Sequence, residues 1–345
     1  MFFLTAFLVG LLLLPVKENF KDFTSNPPFS WAKKGEFLAT KEDLAENNQN
    51  SSETAYFENV SLKNLPVVPR PKEKDQGENK LVVWAKKAVL IDAETGKVLY
   101  QDKMLEDHHI ASITKVMTAL VLMDIVKDWD EKVEISPYAA SAGGATVHFL
   151  SGEKFKAIDL LKAMLMNSDN TAARALAEHF AGREEKFAEL MNEKAKELKL
   201  RNSYFVDASG LDDERSHSCA FDVAQIAREV LRYPTILEIM QTPSHIQIQS
   251  CDEFSNVHRV GNTDELLGKY PGILGAKTGF TYNAGYCLMM IREGKNGRKV
   301  IGVVLDAGEK QRWIEMQKML DWADENFYWS VFPKTNNQKK EKEEE

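Results

Sequence analysis

The hydrophobic and polar positions of the central part of the chain follow two spacings in turn. Near its start, short apolar runs interrupted by a turn predict strands at Leu81–Val83, Ala88–Ile91 and Lys97–Tyr100. From Ala111 to about Met240, apolar residues recur at the spacing of helices. The pattern therefore predicts a few short strands followed by a long helical segment.

Strand patterns return in the last part of this block. Alternation at Ile246 and Ile248 predicts one strand, and Ala284–Ile291 and Lys299–Leu305 predict two more. A closing helix is predicted from an apolar stripe made of Trp313, Met316, Leu320, Ala323 and Phe327. Strands at both ends with helices between them predict an α/β fold, in which one antiparallel sheet is flanked by helices and carries a large helical insertion.

The two ends of the chain lack these patterns. Residues 1–16 hold an apolar run that is short for a membrane span, which predicts a signal peptide or an N-terminal membrane tether. No Lys or Arg precedes the run and no small-x-small cleavage site follows it, so both interpretations stay open. Residues 17–79 are expected to be a disordered spacer and 331–345 a charged tail, which leaves 80–330 as one folded domain.

Composition narrows the class of protein. The chain has 345 residues, of which 43% are hydrophobic and 28% charged, and this excludes disordered, collagen-like and polytopic membrane proteins. Its net charge of −8, without a basic surplus, argues against a nucleic-acid partner. The three cysteines Cys219, Cys251 and Cys287 are too scattered for a disulfide scaffold or a zinc module. They are expected to be buried thiols, with a single disulfide as the alternative.

The candidate chemistry starts with a serine that is followed three residues later by a lysine. This pattern occurs at Ser30, Ser151 and Ser112, and of the three only Ser112 opens a predicted helix. Positions i and i+3 of a helix are neighbours, so the amine of Lys115 can reach the hydroxyl of Ser112. Taken alone, the pair is also consistent with a helix N-cap and a solvated lysine.

Two further motifs follow along the chain. Ser168–Asn170 interrupts two helical patterns, and Lys277–Gly279 begins a strand-like stretch. Each motif alone is explained by a turn between helices or by an edge-strand lysine beside a turn. The three motifs together, in this order, are the signature of penicillin-binding proteins and class A β-lactamases.

From about residue 86 to 325, the chain resembles the D-alanyl-D-alanine carboxypeptidases, the low-molecular-weight penicillin-binding proteins of peptidase family S11. Beyond the motifs, the similarity includes residues 92–100, 111–118, 191–198, 202–212, 270–272, 277–281 and 284–285, whereas residues 274–276 depart from the family pattern. The resemblance implies a β-lactamase/DD-peptidase-like fold and makes 80–330 the catalytic domain. It implies no metal and no organic cofactor. Some family members hold the substrate carboxylate with an arginine shortly before the third motif, a role that is not assigned to Arg259 here.

The resemblance also implies which residues perform catalysis. Ser112 would attack the carbonyl between two terminal D-alanines, and Lys115 would accept its proton. Ser168 would pass a proton to the departing D-alanine, and Asn170 would hydrogen-bond the peptide amide. Because the base must be neutral, Lys115 needs a lowered pKa, which burial and the nearby cation of Lys277 would provide.

Substrate binding is assigned to the third motif in the same way. Lys277, Thr278 and Gly279 would bind the terminal carboxylate of the substrate. The backbone N–H groups of Ser112 and Phe280 would form the oxyanion hole. The implied substrate is a peptidoglycan pentapeptide in cell-wall biosynthesis, and β-lactams are the implied covalent inhibitors.

Export to the extracytoplasmic or periplasmic side of a bacterial membrane is expected, with membrane contact only through the N-terminal segment. Three alternatives remain open at this level. The first is a D-alanyl-D-alanine endopeptidase, which cleaves cross-links with the same motifs. The second is a class A β-lactamase, which needs a further glutamate such as Glu189, although that residue falls in a helical pattern. The third is a penicillin-binding module that is acylated but does not turn over.

Overall fold

The computed structural model describes residues 81–144, 147–253, 255–294 and 297–328, together with the backbone of residues 72 and 73. The predicted signal peptide or tether, the charged tail and nearly all of the predicted spacer lie outside these residues. Within the described part of the chain, no helix has the length and apolar character needed to cross a membrane.

The elements are numbered in chain order. The strands are β1 (Lys72–Glu73), β2 (Lys87–Asp92), β3 (Val98–Asp102), β4 (Lys132–Glu134), β5 (Lys154–Lys156), β6 (Ile246–Gln249), β7 (Val257–Val260), β8 (Ile273–Thr281), β9 (Gly285–Glu293), β10 (Lys299–Ala307) and β11 (Phe327–Tyr328). The helices are α1 (Thr114–Ile125), α2 (Pro137–Ala140), α3 (Ala157–Met166), α4 (Asn170–Ala181), α5 (Glu184–Glu197), α6 (Ala220–Val230), α7 (Pro234–Met240) and α8 (Gln311–Asn326), and a 3₁₀ turn, Ala111–Ile113, precedes α1.

A five-stranded antiparallel sheet organises the domain. Its strand order is β3-β2-β10-β9-β8, so strands from the start and the end of the block pair side by side. All the helices from α1 to α7 are inserted between β3 and β8. The predicted α/β architecture, with one antiparallel sheet and a large helical insertion, is confirmed. In this order β8 is an edge strand of the sheet.

Both faces of this sheet are buried, which explains the apolar runs in the sequence. On β2, Val89 and Ile91 pack into the core shared with the helical insertion, whereas Ala88 and Leu90 pack against α8. Successive side chains of a strand point to opposite faces, so a strand that is covered on both sides is apolar at every position. Burying apolar surface on both faces stabilises the sheet by about 25 cal/mol per Å².

The closing helix is confirmed, with one change at its end. Trp313, Met316, Leu320 and Ala323 are buried on α8. Phe327 is buried as well, but it begins β11, which pairs with β1. Two residues assigned to the spacer therefore form a short strand against the end of the domain.

The first predicted strand is wrong. Residues 81–84 form no strand in the described structure and pair with none of the described strands. Instead, Val83 packs into the core beside α8, and the Lys318 amine donates a hydrogen bond to the carbonyl of Val82. Burial against a helix produces the same short apolar run as burial in a sheet.

The helical insertion surrounds α1. Every residue of α1 from Thr114 to Leu122 is buried, which is why this helix has little amphipathic character. Two small ribbons, β4–β5 and β6–β7, also lie in the insertion or directly after it. The strands of β4–β5 have only three residues each, too few for their alternation to be distinguished from helical spacing.

The cysteines fall within the described residues and are free thiols. Cys219 and Cys287 are buried, as expected, and burial raises the pKa of each to about 12. Cys251 is only half-buried, because it lies at the start of the connection between β6 and β7. The alternative of a single disulfide is therefore not realised.

Candidate active site

The hydroxyl of Ser112 is presented by the 3₁₀ turn that leads into α1. Ala111 and Ile113 on either side of Ser112 are buried, so the turn is anchored while Ser112 stays partly exposed. Ala111 has a φ of 48°, a left-handed conformation that few non-glycine residues adopt. Among the described residues, no side chain caps this turn or α1, so the N-cap interpretation of Ser112 is not supported.

Lys115 lies one turn further along and is completely buried. Its Nζ is 2.8 Å from Ser112 Oγ, 2.6 Å from Asn170 Oδ1 and 2.6 Å from the carbonyl oxygen of Ser209. The amide and carbonyl oxygens carry no proton, so they can only accept from the amine. In its neutral form the amine keeps two N–H groups for them, and its lone pair is left for the hydroxyl of Ser112.

Burial makes this lysine a base near neutral pH. Desolvation lowers the pKa of Lys115 to about 7, although the carboxylates of Asp207, Asp169 and Glu184 act in the opposite direction. Burial thus lowers the pKa of Lys115, whereas the charge of Lys277, which was also expected to lower it, is not among the main causes. At pH 7 a large fraction of the Lys115 amines is neutral and able to accept a proton.

The second and third motifs meet in a hydrogen bond between Ser168 and Lys277. The Lys277 amine donates to Ser168 Oγ at 2.8 Å and to the carbonyl of Thr278 at 3.0 Å. Lys277 is also buried, and its pKa is lowered by burial first, then by the charges of Lys115 and Arg312. This contact orients the Ser168 hydroxyl within the same buried polar cluster as Lys115.

Asp169, the middle residue of the second motif, gives the loop its shape. Its Oδ1 accepts from the backbone N–H of Ala172 at 2.7 Å, which caps α4, and its Oδ2 accepts from the N–H of Val147.

Ser168 has a φ of 63°, a left-handed conformation that reverses the chain after α3. Asn170 then begins α4, and its Nδ2 donates to the carbonyl of Gly143. The two outer residues of the motif are thereby directed into the site.

The glycine of the third motif is required by close packing. A β-carbon at Gly279 would lie 2.8 Å from the carbonyl oxygen of Ile110 and 3.2 Å from the amide nitrogen of Ser112. This part of β8 therefore lies directly against the 3₁₀ turn that carries Ser112. Thr278 is held by its hydroxyl, 3.0 Å from that of Thr263. Phe280 is 46% exposed, and its ring stacks on that of Tyr286 with centroids 4.2 Å apart.

Three groups at the site were not found from the sequence. The carbonyl of Ser209 is a backbone acceptor, and no side-chain pattern marks it, although Asp207 and Gly210 form the turn that presents it. Thr263 stands in a loop before β8, and Arg312 begins α8, far from the motifs in sequence. The guanidinium of Arg312 lies 5.1 Å above the ring of Tyr286.

The other serines with a lysine three residues later, and Arg259, are not part of this site as the structure describes it. Ser151 is exposed in a turn, and Lys154 forms an ion pair with Glu134. Ser30 lies outside the described residues. Arg259 is exposed on β7, where it contacts His245. The third motif also lies within β8 and does not begin it.

The β-lactamase alternative loses its candidate glutamate. The side chain of Glu189 is 54% exposed on α5 and pairs with Lys186, on the same helix. A deacylating glutamate must lie close enough to the acyl-enzyme to activate a water molecule. The position of Glu189, turned towards solvent beside Lys186, does not fit that role.

A family model described as D-alanyl-D-alanine carboxypeptidase, peptidase S11, matches residues 74–309. The chain belongs to the S11 family of D-alanyl-D-alanine carboxypeptidases. The resemblance inferred from the motifs is confirmed. As an S11 member, the chain is a serine-type DD-peptidase with an SxxK motif.

Named relatives of this S11 chain agree with that assignment. The D-alanyl-D-alanine carboxypeptidase DacF of Bacillus subtilis is 36% identical over 270 residues, which cover 76% of this chain and 69% of DacF. A D-alanyl-D-alanine endopeptidase of Escherichia coli is 34% identical, over 69% of this chain and 76% of that protein. The crystal structure of the Streptomyces K15 DD-transpeptidase aligns with a TM-score of 0.66 at 25% identity, covering 71% of this chain and 98% of the transpeptidase. The fold is therefore that of the DD-peptidases.

Proposed function

We propose that this S11 enzyme removes the terminal D-alanine from peptidoglycan stem pentapeptides through an acyl-enzyme on Ser112. The observation that carries the proposal is the buried Lys115 amine, which lies 2.8 Å from the Ser112 hydroxyl and has two proton-free acceptors besides it. This arrangement fits a neutral amine that accepts the proton of Ser112.

Acylation follows from these contacts. The Ser112 oxygen attacks the carbonyl carbon of the penultimate D-alanine while its proton moves to Nζ of Lys115. A C–O bond forms, the C–N bond to the terminal D-alanine breaks, and the electron pair stays on the departing nitrogen. That nitrogen takes a proton from the Ser168 hydroxyl, which is restored through the polar cluster containing Lys277 and Lys115. Water then attacks the ester carbonyl while one of its protons moves to Nζ of Lys115. The C–O bond to Ser112 breaks, the Ser112 oxygen takes that proton back, and the shortened peptide leaves with a new carboxyl group.

Recognition of the substrate is assigned to the edge of β8. The amine of Lys277 and the hydroxyl of Thr278 favour the terminal carboxylate, and Arg312 adds positive charge close to them. Asn170 is placed to hydrogen-bond the peptide amide. The N–H groups of Ser112 and Phe280 flank the close approach at Gly279, which supports their role as the oxyanion hole.

The site of action is proposed from the substrate. Peptidoglycan stem peptides are reached outside the cytoplasmic membrane, so we infer that the apolar run in residues 1–16 directs export, as a signal peptide or as a tether. The same chemistry makes β-lactams covalent inhibitors, because their strained amide is attacked in place of the peptide. The enzyme would then act in cell-wall biosynthesis or remodelling.

Carboxypeptidase and endopeptidase activity are separated by a direct comparison of substrates. Relatives of both names occur, and the family description is that of a carboxypeptidase. We expect purified enzyme to release D-alanine from a stem pentapeptide at least about tenfold faster than it cleaves a cross-linked dimer, which corresponds to about 1.4 kcal/mol in the barrier. Mass spectrometry of the products measures both rates. Faster cleavage of the cross-link would instead make the enzyme an endopeptidase.

The pH dependence of acylation is predicted from the pKa of Lys115. Below about pH 7 the amine is protonated and its lone pair is lost, so acylation slows about tenfold for each further unit. Above that pH the rate becomes independent of this group. Stopped-flow measurement of acylation by a fluorescent penicillin, from about pH 5 to pH 9, tests this. This fall in the acylation rate below about pH 7 is the acidic limb of the profile. A profile without it would contradict the assignment of Lys115 as the base.

A further inference from the structure

Glu184 is a buried carboxylate that takes no part in the proton transfers described for the proposed function. It begins α5 and is only 5% exposed. A carboxylate is rarely buried unless other groups form hydrogen bonds or ion pairs with it. The partners of Glu184 therefore show which parts of the structure it holds in place.

Three partners of Glu184 come from three different parts of the fold. Its Oε1 accepts from the backbone N–H of Ala208 at 3.1 Å, and its Oε2 accepts from the hydroxyl of Tyr138, on α2, at 2.7 Å. The Nε of Arg174, on α4, lies 3.3 Å from Oε2. The guanidinium of Arg174 also lies 4.8 Å above the ring of Tyr138, which completes the cluster.

Two of these partners lead directly to Lys115. Ala208 precedes Ser209, whose carbonyl accepts from the Lys115 amine, and the carbonyl of Ala208 itself accepts from Thr118 on α1 at 2.7 Å. The segment that starts at α2 with Tyr138 continues to Gly143, whose carbonyl accepts from the side chain of Asn170. Asn170 is the other acceptor of the Lys115 amine. Glu184 thus binds both segments that hold the acceptors of the base.

We propose that Glu184 is a positioning residue for Lys115, which holds the two segments that carry the acceptors of its amine and places a carboxylate close to it. This inference rests on the proposed function, since acylation of Ser112 is its readout. Glu184 touches neither substrate nor Ser112 in this scheme, and it acts through the backbone of residues 207–210 and through the charge it adds near Lys115.

The charges around the amine give the expected sign. The negative charges of Asp207, Asp169 and Glu184 each raise the pKa of Lys115, while burial raises the pKa of Asp169 and of Glu184 themselves. Lys277, on β8, is close enough for the charge of Lys115 to lower its pKa. Asp169 caps α4, and Asp207 accepts from two backbone N–H groups of its own turn, so removing either disrupts local structure. The side chain of Glu184 accepts from Ala208 and Tyr138, which both lie outside its own helix, so replacing it with glutamine should leave the start of α5 intact.

The Glu184→Gln variant tests the charge. Glutamine has the same shape and keeps an oxygen for Ala208, but it removes one negative charge. We expect the acidic limb of the acylation profile to move to lower pH by at least about 0.5 unit, while the plateau rate stays within about threefold. The matched control is Glu189→Gln, on the exposed side of the same helix, for which the limb should not move.

The Tyr138→Phe variant tests the positioning separately. It removes one donor from Glu184 but keeps the charge, and the ring is partly exposed, so the protein should fold. We expect the plateau rate of acylation to fall by about threefold or more, with the midpoint of the limb unchanged.

A folded Glu184→Gln enzyme with the wild-type limb would overturn the inference, and so would a Tyr138→Phe enzyme with the wild-type plateau. If Glu184→Gln does not give the cooperative thermal transition of the wild type, Tyr138→Phe decides alone. Wild-type enzyme that is not acylated at all would refute the proposed function, and this result is distinct from either of the others.

Discussion

The Ser112→Ala variant is expected to release D-alanine from a stem pentapeptide at least about 10⁴-fold more slowly than the wild type. The variant removes the only atom that forms the ester, and Lys115 then has no hydroxyl to deprotonate. Folding should be preserved, because Ser112 is partly exposed and its side chain caps no helix. An enzymatic assay for free D-alanine, run alongside a thermal melt, measures both effects.

Ser151→Ala is the matched control for this variant. Ser151 also stands three residues before a lysine, but it lies in an exposed turn where Lys154 pairs with Glu134. Its replacement should leave the rate of D-alanine release unchanged. A Ser112→Ala enzyme with substantial activity, or an inactive Ser151→Ala enzyme, would show that the nucleophile has been assigned to the wrong serine.

The Lys115→Met variant is expected to be acylated at least about 10³-fold more slowly and to lose the acidic limb near pH 7. Methionine keeps the length of the buried side chain but has no proton acceptor. The carbonyl of Ser209 and the amide of Asn170 lose a donor, which costs about 1–3 kcal/mol each. The variant also avoids the free-energy cost of burying an amine, which offsets part of this loss of stability. We therefore expect the variant to fold. Stopped-flow acylation across pH provides the measurement.

Lys154→Met is the corresponding control, because it removes a lysine at the same spacing from a serine on the surface. Its acylation rate and its pH profile should match those of the wild type. Persistence of the limb near pH 7 in Lys115→Met would mean that another group is the base, and the account of the site would then have to be changed.

Much of this site was predictable because each motif combines residue types whose chemistry is specific. Ser112 with Lys115, and Ser168 with Asn170, each lie where a helix starts, so local spacing fixes the direction of their side chains. The meeting of Lys277 with Ser168 depends on how β8 packs against the loop before α4. No local pattern contains that contact, and it was not predicted; the resemblance placed Lys277 only near Lys115 and the substrate carboxylate.

The groups that were missed at the site carry no local signal in the sequence, each for its own reason. Ser209 contributes a backbone carbonyl, which every residue type carries, so its identity gives no signal. Arg312 reaches the site because α8 packs against β9 and β10, which places its guanidinium over the ring of Tyr286 on β9. Glu184 likewise looks like a helix-start carboxylate in the sequence, a position that the helix dipole favours for other reasons.

The errors in the fold have equally specific causes. Leu81–Val83 has the apolar content of a strand, yet Val83 is buried against α8 without a pairing strand. The β4–β5 ribbon was overlooked because its strands are three residues long. In contrast, the central strands were correctly predicted, because burial on both faces makes them apolar throughout.

The central claim is that Ser112 becomes acylated, and the most direct test is the intact mass of the full chain after incubation with benzylpenicillin. We predict that the mass of the wild type increases by that of one benzylpenicillin molecule, since the ring opens without losing a fragment. Peptide mapping should place the adduct on the peptide that contains Ser112, and the Ser112→Ala protein should keep its original mass. An adduct on another serine, or equal modification of Ser112→Ala, would contradict the account.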